Sequence, residues 1–516
     1  MHIGTISLSR VINMRFEVKE TLTEDEIQVG LRNVIRDGLA TRVMVTLTGG
    51  VFLVAFALKL GASNSVIGLL AAIPSLAQLI QIPSVYLVEK YRVRRAISVY
   101  TSAFSRLFWL FIAFIPFLFS IKTGLIFLIA AFVIKTILGT VSLCSWNSWM
   151  RDLVPQDQLG VFFSKRMRLA TALGIPISLA AGFYLDYWKK IYPDNELYGY
   201  SLLFFLGFLA GMLGVYFLTT IPEPRMPATE GKIQFFKLIM RPFKDDNFRN
   251  LVRFLGSWNF AVNLAAPFFT VYMLKRLELD MSLIIALTVL SQLTSLAFFG
   301  IWGKFSDRFS NKSVISVSGP LFILCILAWT FTTMPEKYVL TMPLLIIIHI
   351  FMGISTAGVT LASGNIGLKL APKGQATAYL AANSLVNSIS AGIAPILGGS
   401  FVDFFTGRKL AWDITWTSPK GELVIPTLNF QEWDFFFFLA FLVGLYSIHR
   451  LALVKEEGEV EEKIVLYELL SEIRRPIRNF STADGLQQMV QFPFSIVRSA
   501  IENKKEKKNL QPEILL

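Results

Sequence analysis

Charge is scarce in this chain, and so are the residues that usually build a reactive centre. Only 16% of its 516 residues are Asp, Glu, Lys or Arg, a share too low for a soluble multidomain protein. Two cysteines, Cys144 and Cys325, make neither a disulfide framework nor a zinc site, and both fall inside apolar runs. Three histidines, His2, His349 and His449, lie too far apart in the sequence to suggest a metal centre. No metal and no cofactor is expected. Residues 1–38 lack the apolar core and small-residue cleavage site of a secretory signal, and Met14 serves as well as Met1 for a start. A membrane β-barrel would alternate apolar and polar residues along its strands, whereas the long segments here are continuously apolar over helix-spanning lengths. An enzyme would need a nucleophile–base pair or a metal cluster, and nothing in the sequence supplies one.

What the chain has instead is apolar length. Hydrophobic residues make up 54% of it, and the mean hydropathy is +0.56. The apolar runs are each about 20 residues long, enough helix to cross the hydrocarbon core of a bilayer. About twelve such spans succeed one another. In the first half they are Leu39–Leu60, Val66–Val88, Ala96–Phe119, Gly124–Met150, Leu169–Tyr187 and Tyr200–Ile221. In the second half they are Leu251–Leu274, Leu283–Trp302, Val314–Thr333, Met342–Leu368, Thr377–Phe404 and Phe435–Leu453. The expected fold class is an all-α, multi-pass membrane protein.

The formal charge of +13 is dispersed over loops between apolar runs, which speaks for membrane topology and against nucleic acid as a partner. Lys90, Arg92, Arg94, Arg95, Arg151, Lys165, Arg166, Arg168, Lys304, Arg308 and Lys312 fall on one side, the side of both termini. Positive charge is retained in the cytoplasm, so both termini are expected there. The chain then divides into five segments: 1–38, 39–221 (first six-helix bundle), 222–250, 251–453 (second bundle) and 454–516. Thr23-Glu24-Asp25-Glu26 reads as a capping box opening a short amphipathic helix with Ile27, Leu31 and Val34 on one face. It is expected to lie at the inner surface. Lys232–Arg249 reads as an interfacial linker, and the tail with its Lys504–Lys508 cluster as a solvated segment touching anionic lipid.

The two halves repeat one another. Glu89 and Asp307 are 307 − 89 = 218 positions apart, as are Ile97-Ser98 and Ile315-Ser316. Pro155 and Pro372 are separated by 217, and so are Asp186 and Asp403. Gly182-Phe183-Tyr184-Leu185-Asp186 answers Gly399-Ser400-Phe401-Val402-Asp403. A duplicated six-helix unit accounts for all of these, and such repeats place a substrate site between the halves near mid-membrane. The charged stretch Gly303–Lys312 joins two of the spans as a tight turn, with Gly303 expected at the bend. Its weaker counterpart is Glu89–Arg95.

On these features the chain resembles the major facilitator superfamily over essentially all of its spans. The family's loop signature is glycine, three residues, Asp-Arg, one residue, glycine, then two basic residues. Gly303, Asp307, Arg308 and Lys312 match it, while Ser310 and Asn311 depart. In the first half Val85 replaces the glycine, Glu89 and Lys90 stand for Asp-Arg, and Arg94 keeps one basic position. The resemblance implies a cytoplasmic gate at Gly303, Asp307, Arg308, Lys312, Glu89 and Lys90. Ala394–Gly399 is similar to the antiporter glycine–proline element, but it lies in the eleventh span instead of the fifth.

The resemblance further implies that the first, fourth, seventh and tenth spans line a central cavity. Polar stripes on those spans nominate Lys135, Ser142 and Trp146, then Thr46, Asn259, Asn263, His349 and Thr356 as substrate-binding residues. Lys135 sits about eleven residues into its span, where a charge is costly unless it is hydrated or paired. Arg42 is expected to snorkel to the inner surface, and Arg106 to be satisfied by Gln78 or Gln81. No Asp or Glu lies deep in these twelve runs. Two buried cations without a buried acid suggest an anionic small organic substrate, or coupling by exchange with an ion. The function expected is secondary active transport by a monomer in the cytoplasmic membrane, direction open. The alternative is a transport-dead receptor or scaffold on the same fold.

Overall fold

The computed structural model describes residues 18–155, 158–226, 242–333, 337–371, 376–419 and 421–480. Met14, most of the basic linker, Pro372 and the Lys504–Lys508 cluster lie outside the described residues. Eleven of the described helices are long and apolar enough to cross a bilayer. The seventh span, Asp246–Lys275, is not among them, because Asn259 and Asn263 dilute its apolar stretch. It nonetheless packs against the eleventh and twelfth spans and touches the first and second. The inner face of the bundle bears the Arg92 and Phe309 turns and the tail helix; the outer face is the opposite one.

The first span departs most from its sequence limits. Thr23 caps a helix that runs unbroken from Glu24 to Thr48, with Glu26 closing the capping box. The amphipathic turn is therefore the inner end of the first span, not a separate surface helix. Leu31 and Val34 are buried in a cluster with Trp149, Met150 and Leu153. The helix breaks at Gly49 and resumes as Gly50–Lys59. Gly50 has φ of +54°, a backbone region that a side chain resists, so the pair of glycines makes the break possible.

The turns are tighter than the charged stretches suggest. The eighth span continues to Arg308 and the ninth starts at Asn311, leaving only Phe309 and Ser310 between them. Gly303 is therefore helical, and the bend lies beyond it. On the first-half side the bend is at Arg92, with φ of +53°.

The repeat extends to the caps of the helices. Glu223 accepts from the Arg94 and Arg95 amides at 2.7 and 3.0 Å, at the start of the third span. Glu456 accepts from the Asn311 and Lys312 amides at 3.3 and 2.7 Å, at the start of the ninth. The capped positions correspond: 311 − 94 = 217 and 312 − 95 = 217. Burial lifts the Glu223 carboxyl above the ordinary carboxylate range, against the pull of the two amides and the Arg94 guanidinium.

The tail is more than a solvated segment. Helix Glu462–Phe480 lies against the eighth and ninth spans, with Val465 and Leu469 buried. Between the eleventh and twelfth spans a β-hairpin, Lys409–Ser418 paired with Gly421–Gln431, stands on the outer face. The span limits read from the sequence imply only a plain loop there.

Candidate functional site

A cavity of about 390 Å³ lies at the break in the first span. Thr48, Gly49, Gly50 and Leu53 line it from the first span, Ile67, Leu70, Ala71 and Pro74 from the second, Phe132 and Lys135 from the fourth, and Pro267 from the seventh. Its wall belongs to the first half, and Pro267 is the one lining residue from the second. The Lys135 ammonium is 4.8 Å from the Trp109 ring centroid and 5.1 Å from that of Phe132. Those π faces offset part of its desolvation. No carboxylate pairs with Lys135 among the described residues.

The other nominated residues are mostly elsewhere. Ser142 is buried between the third and fourth spans, 2.6 Å from Ser102 Oγ and donating to the Ser98 carbonyl. Trp146 lies under the Arg166 guanidinium at 4.9 Å. Asn259 donates to Asn387 across to the eleventh span, and Asn263 donates back to the Asn259 carbonyl. The Ser142 and Asn259 bonds tie helices together, whereas the Asn263 bond stays within its own helix. His349 is buried 5.6 Å from the Trp329 ring, with Nδ1 at the Leu345 carbonyl. Thr46 is half-buried and Thr356 exposed. Of the nominated residues, the cavity brings in Lys135 alone; the rest of the wall is apolar and backbone apart from Thr48, whose hydroxyl donates to the Met44 carbonyl.

A buried acid is present after all. Asp37, 4% exposed, lies 3.5 Å from Arg106 and 4.0 Å from Arg166. Arg106 also donates to Thr41 Oγ1 at 3.1 Å and to the Gly211 carbonyl. Gln78 and Gln81 bond to each other instead. Arg42 does not snorkel: its guanidinium faces Gly174 of the fifth span, and its Nε has no partner among the described residues. The acid escaped sequence reading because the apolar run starts at Leu39, whereas the helix carrying Asp37 starts at Glu24.

The expected inner-gate residues are not joined across the halves. Glu89, Lys90 and Asp307 are exposed, and the Glu89 and Asp307 carboxylates make no hydrogen bond or ion pair among the described residues. Arg308 pairs with Glu468 at 3.3 Å and Lys312 with Glu459 at 2.7 Å, both acids belonging to the tail. The nearest approach to a side chain built at Gly303 is Leu361 of the tenth span.

The halves are joined at the outer face. Asp186, ending the fifth span, accepts from the Met281 and Ser282 amides at 2.9 and 2.8 Å, at the start of the eighth. Asp403, ending the eleventh, accepts from the Asn64 and Ser65 amides at 3.1 and 2.8 Å, at the start of the second. Asn64 Nδ2 and Ser65 Oγ add 2.8 and 2.6 Å bonds to Asp403. The offset is again 217, since 403 − 186 and 281 − 64 agree. Each half thus caps a helix of the other with a carboxylate, the ligand that a helix N-terminus favours.

The sequence pattern of the Major Facilitator Superfamily matches residues 38–395 and 249–465. The chain belongs to the Major Facilitator Superfamily. No curated protein sequence matches it. Among solved structures it is similar to a mutant of the nucleoside transporter NupG, at a TM-score of 0.60 and 12% identity, covering 82% of this chain and 100% of that one. A bacterial homologue of the iron transporter ferroportin, inward-facing, gives 0.58 and 13%, covering 84% and 100%. A bacterial homologue of the lysosomal transporter Spinster, inward-facing and unoccupied, gives 0.53 and 14%, covering 84% and 95%. At such identities the likeness is one of fold. This superfamily member is a multi-pass membrane transporter and not an enzyme.

Proposed function

We propose that this superfamily member is a secondary active transporter that carries a small organic anion by alternating access. The observation that carries the reading is Lys135, a cation at a cavity walled by the first half and met by Pro267 of the second, with no described acid to pair it. A charge so placed costs several kcal/mol unless something matches it. The cargo supplies the match: its anionic group meets the Lys135 ammonium, and its apolar body lies along Phe132, Leu53, Leu70 and Pro267. Asp37 does not compete for Lys135, being shared by Arg106 and Arg166. The outer caps and the unlinked inner loops support an inward-facing arrangement, from which the halves rock about the cavity. The distribution of basic loops supports cytoplasmic termini and a cytoplasmic membrane, with the monomer as the working unit.

Nucleosides and iron, the cargoes for which two of the structural neighbours are named, have too little in common to guide a choice of anion. Two measurements test the reading. A panel of organic anions is screened for thermal stabilisation of the purified protein. A ligand at about a hundred times its Kd adds about 2.7 kcal/mol to the folded state. The anions that stabilise are then followed into proteoliposomes with the wild type and Lys135→Gln. The variant is expected to lose both the stabilisation and the flux while melting at nearly the wild-type temperature. Unchanged flux of every accepted anion through Lys135→Gln refutes the role given to this lysine.

A further inference from the structure

The hairpin on the outer face has no part in the cavity, yet it is built with one apolar side. Along Lys409–Ser418 the alternate residues Leu410, Trp412, Ile414 and Trp416 are 53%, 70%, 53% and 68% exposed. Side chains alternate across a strand, so these four share one face, and Ala411, Asp413, Thr415 and Thr417 share the other. The backbone register pairs the four with Phe430, Leu428, Ile425 and Leu423, with an irregularity between Trp412 and Asp413. The ribbon is roughly 33 Å long at the usual rise per residue. An isolated two-stranded ribbon is at best marginally stable in water and needs something against its apolar side.

The root of the ribbon shows what that is. Phe430 packs on Phe435 and Phe438 of the twelfth span, at 5.7 and 5.8 Å between ring centroids. Phe438 is 38% exposed on the flank of a helix long and apolar enough to cross a bilayer, a flank that acyl chains suit. The apolar face of the ribbon is thus continuous with the lipid-facing surface. The Arg408 guanidinium sits 3.8 Å above the exposed Phe404 ring at the end of the eleventh span. A cation over a lipid-facing ring at a span end marks the headgroup level, the depth at which tryptophans also collect.

The root is pinned as well: Gly407 donates to Glu432, and Arg276 donates to Gln431, both at 2.9 Å. We propose that the hairpin lies along the outer leaflet, with Leu410, Trp412, Ile414 and Trp416 in the boundary between headgroups and acyl chains. Asp413, Thr415 and Thr417 then face water. The inference is independent of the substrate assigned to the cavity.

Site-directed fluorescence tests it in the full chain, with Cys144→Ala and Cys325→Ala removing the native thiols. Bimane is attached at Trp416→Cys and, separately, at Thr417→Cys, and each protein is reconstituted in phosphatidylcholine liposomes. The Trp416→Cys label is expected to emit at shorter wavelength, to be quenched by doxyl-labelled lipid and to be shielded from aqueous iodide. The Thr417→Cys label is expected to show the reverse. Equal iodide quenching at the two positions overturns the proposal. So does shielding at Trp416→Cys that disappears on dilution of the protein in lipid, because the cover is then a second copy of the chain.

Discussion

The outer and inner faces use the same device to opposite ends. On each face a carboxylate closes the N-terminus of a helix, and on each the two copies stand 217 positions apart by the helix they cap. At the inner face Glu223 and Glu456 cap a helix of their own half. At the outer face Asp186 and Asp403 cap a helix of the opposite half. The bonds are geometrically alike, each a side-chain carboxyl accepting from two successive backbone amides at the start of a helix. Their consequences differ because of connectivity. An acid that caps its own half adds to the stability of that bundle in every state. An acid that caps the other half stabilises only the state in which the outer ends meet.

The largest break in that comparison comes from the backbone contact beneath the Asp403 cap. A Cβ at Gly399 would fall on the Asn64 carbonyl and 2.7 Å from Ser65 Cα. Backbone has no rotamer with which to yield, so Gly399→Ala forces the second and eleventh spans apart, at about 1–3 kcal/mol or more. Spin labels at Ser63→Cys and Thr406→Cys, at the outer ends of those spans, report the separation by double electron–electron resonance. A longer distance is expected for Gly399→Ala. An unchanged distribution means that the contact does not hold the outer face shut.

Removing charge has a smaller effect, and an ordered one. Asp403 gathers four donors and Asp186 two. Asp403→Asn is therefore expected to shift the closed population more than Asp186→Asn does, by about tenfold for each 1.4 kcal/mol lost. The two sites share no partner, so the double variant adds the single effects. The melting temperature of each bundle stays near wild type, because no cap within a half is touched. An equal response to the two single replacements contradicts the reading from donor number.

Much of this architecture was legible in the sequence, because apolar length and a constant offset are strong signals. Asp186 and Asp403 stood out as a matched pair, with Gly182 and Gly399 four residues before them. What they cap was not readable, since an offset gives equivalence and says nothing about the partner. Asp37 was hidden by reading the membrane from composition: the helix begins with polar residues and carries the acid into the bundle. Ser142 and His349 fell on plausible stripes, but a helix inside a bundle has polar contacts on several sides, and periodicity does not say which neighbour each side meets. Lys135 is singled out by the sequence because an unpaired charge inside an apolar run is costly wherever it points. The hairpin carried an alternating pattern too, Leu410 to Trp416, overshadowed by the spans that flank it.

The inner caps supply the smallest effect and the sharpest contrast. Glu223→Gln removes one of two carboxylate acceptors beneath the Arg94 and Arg95 amides, in a site 1% exposed. A buried donor left unmatched costs about 1–3 kcal/mol, so the variant is expected to melt earlier while the outer spin-label distance stays fixed. Its pH dependence carries a definite sign. Burial raises the folded-state value of Glu223, so the carboxyl binds its proton more tightly in the folded chain than in the unfolded one. Its contribution is then fully present below the unfolded value of about 4.3 and is lost as pH rises through the folded value. The stability of wild type relative to Glu223→Gln should therefore decline from acid toward neutral pH. A gap that widens instead would mean that the Arg94 guanidinium outweighs burial, making the charged carboxylate the stabilising form. In either case the spin labels are expected not to move, since Glu223 holds a helix of its own half.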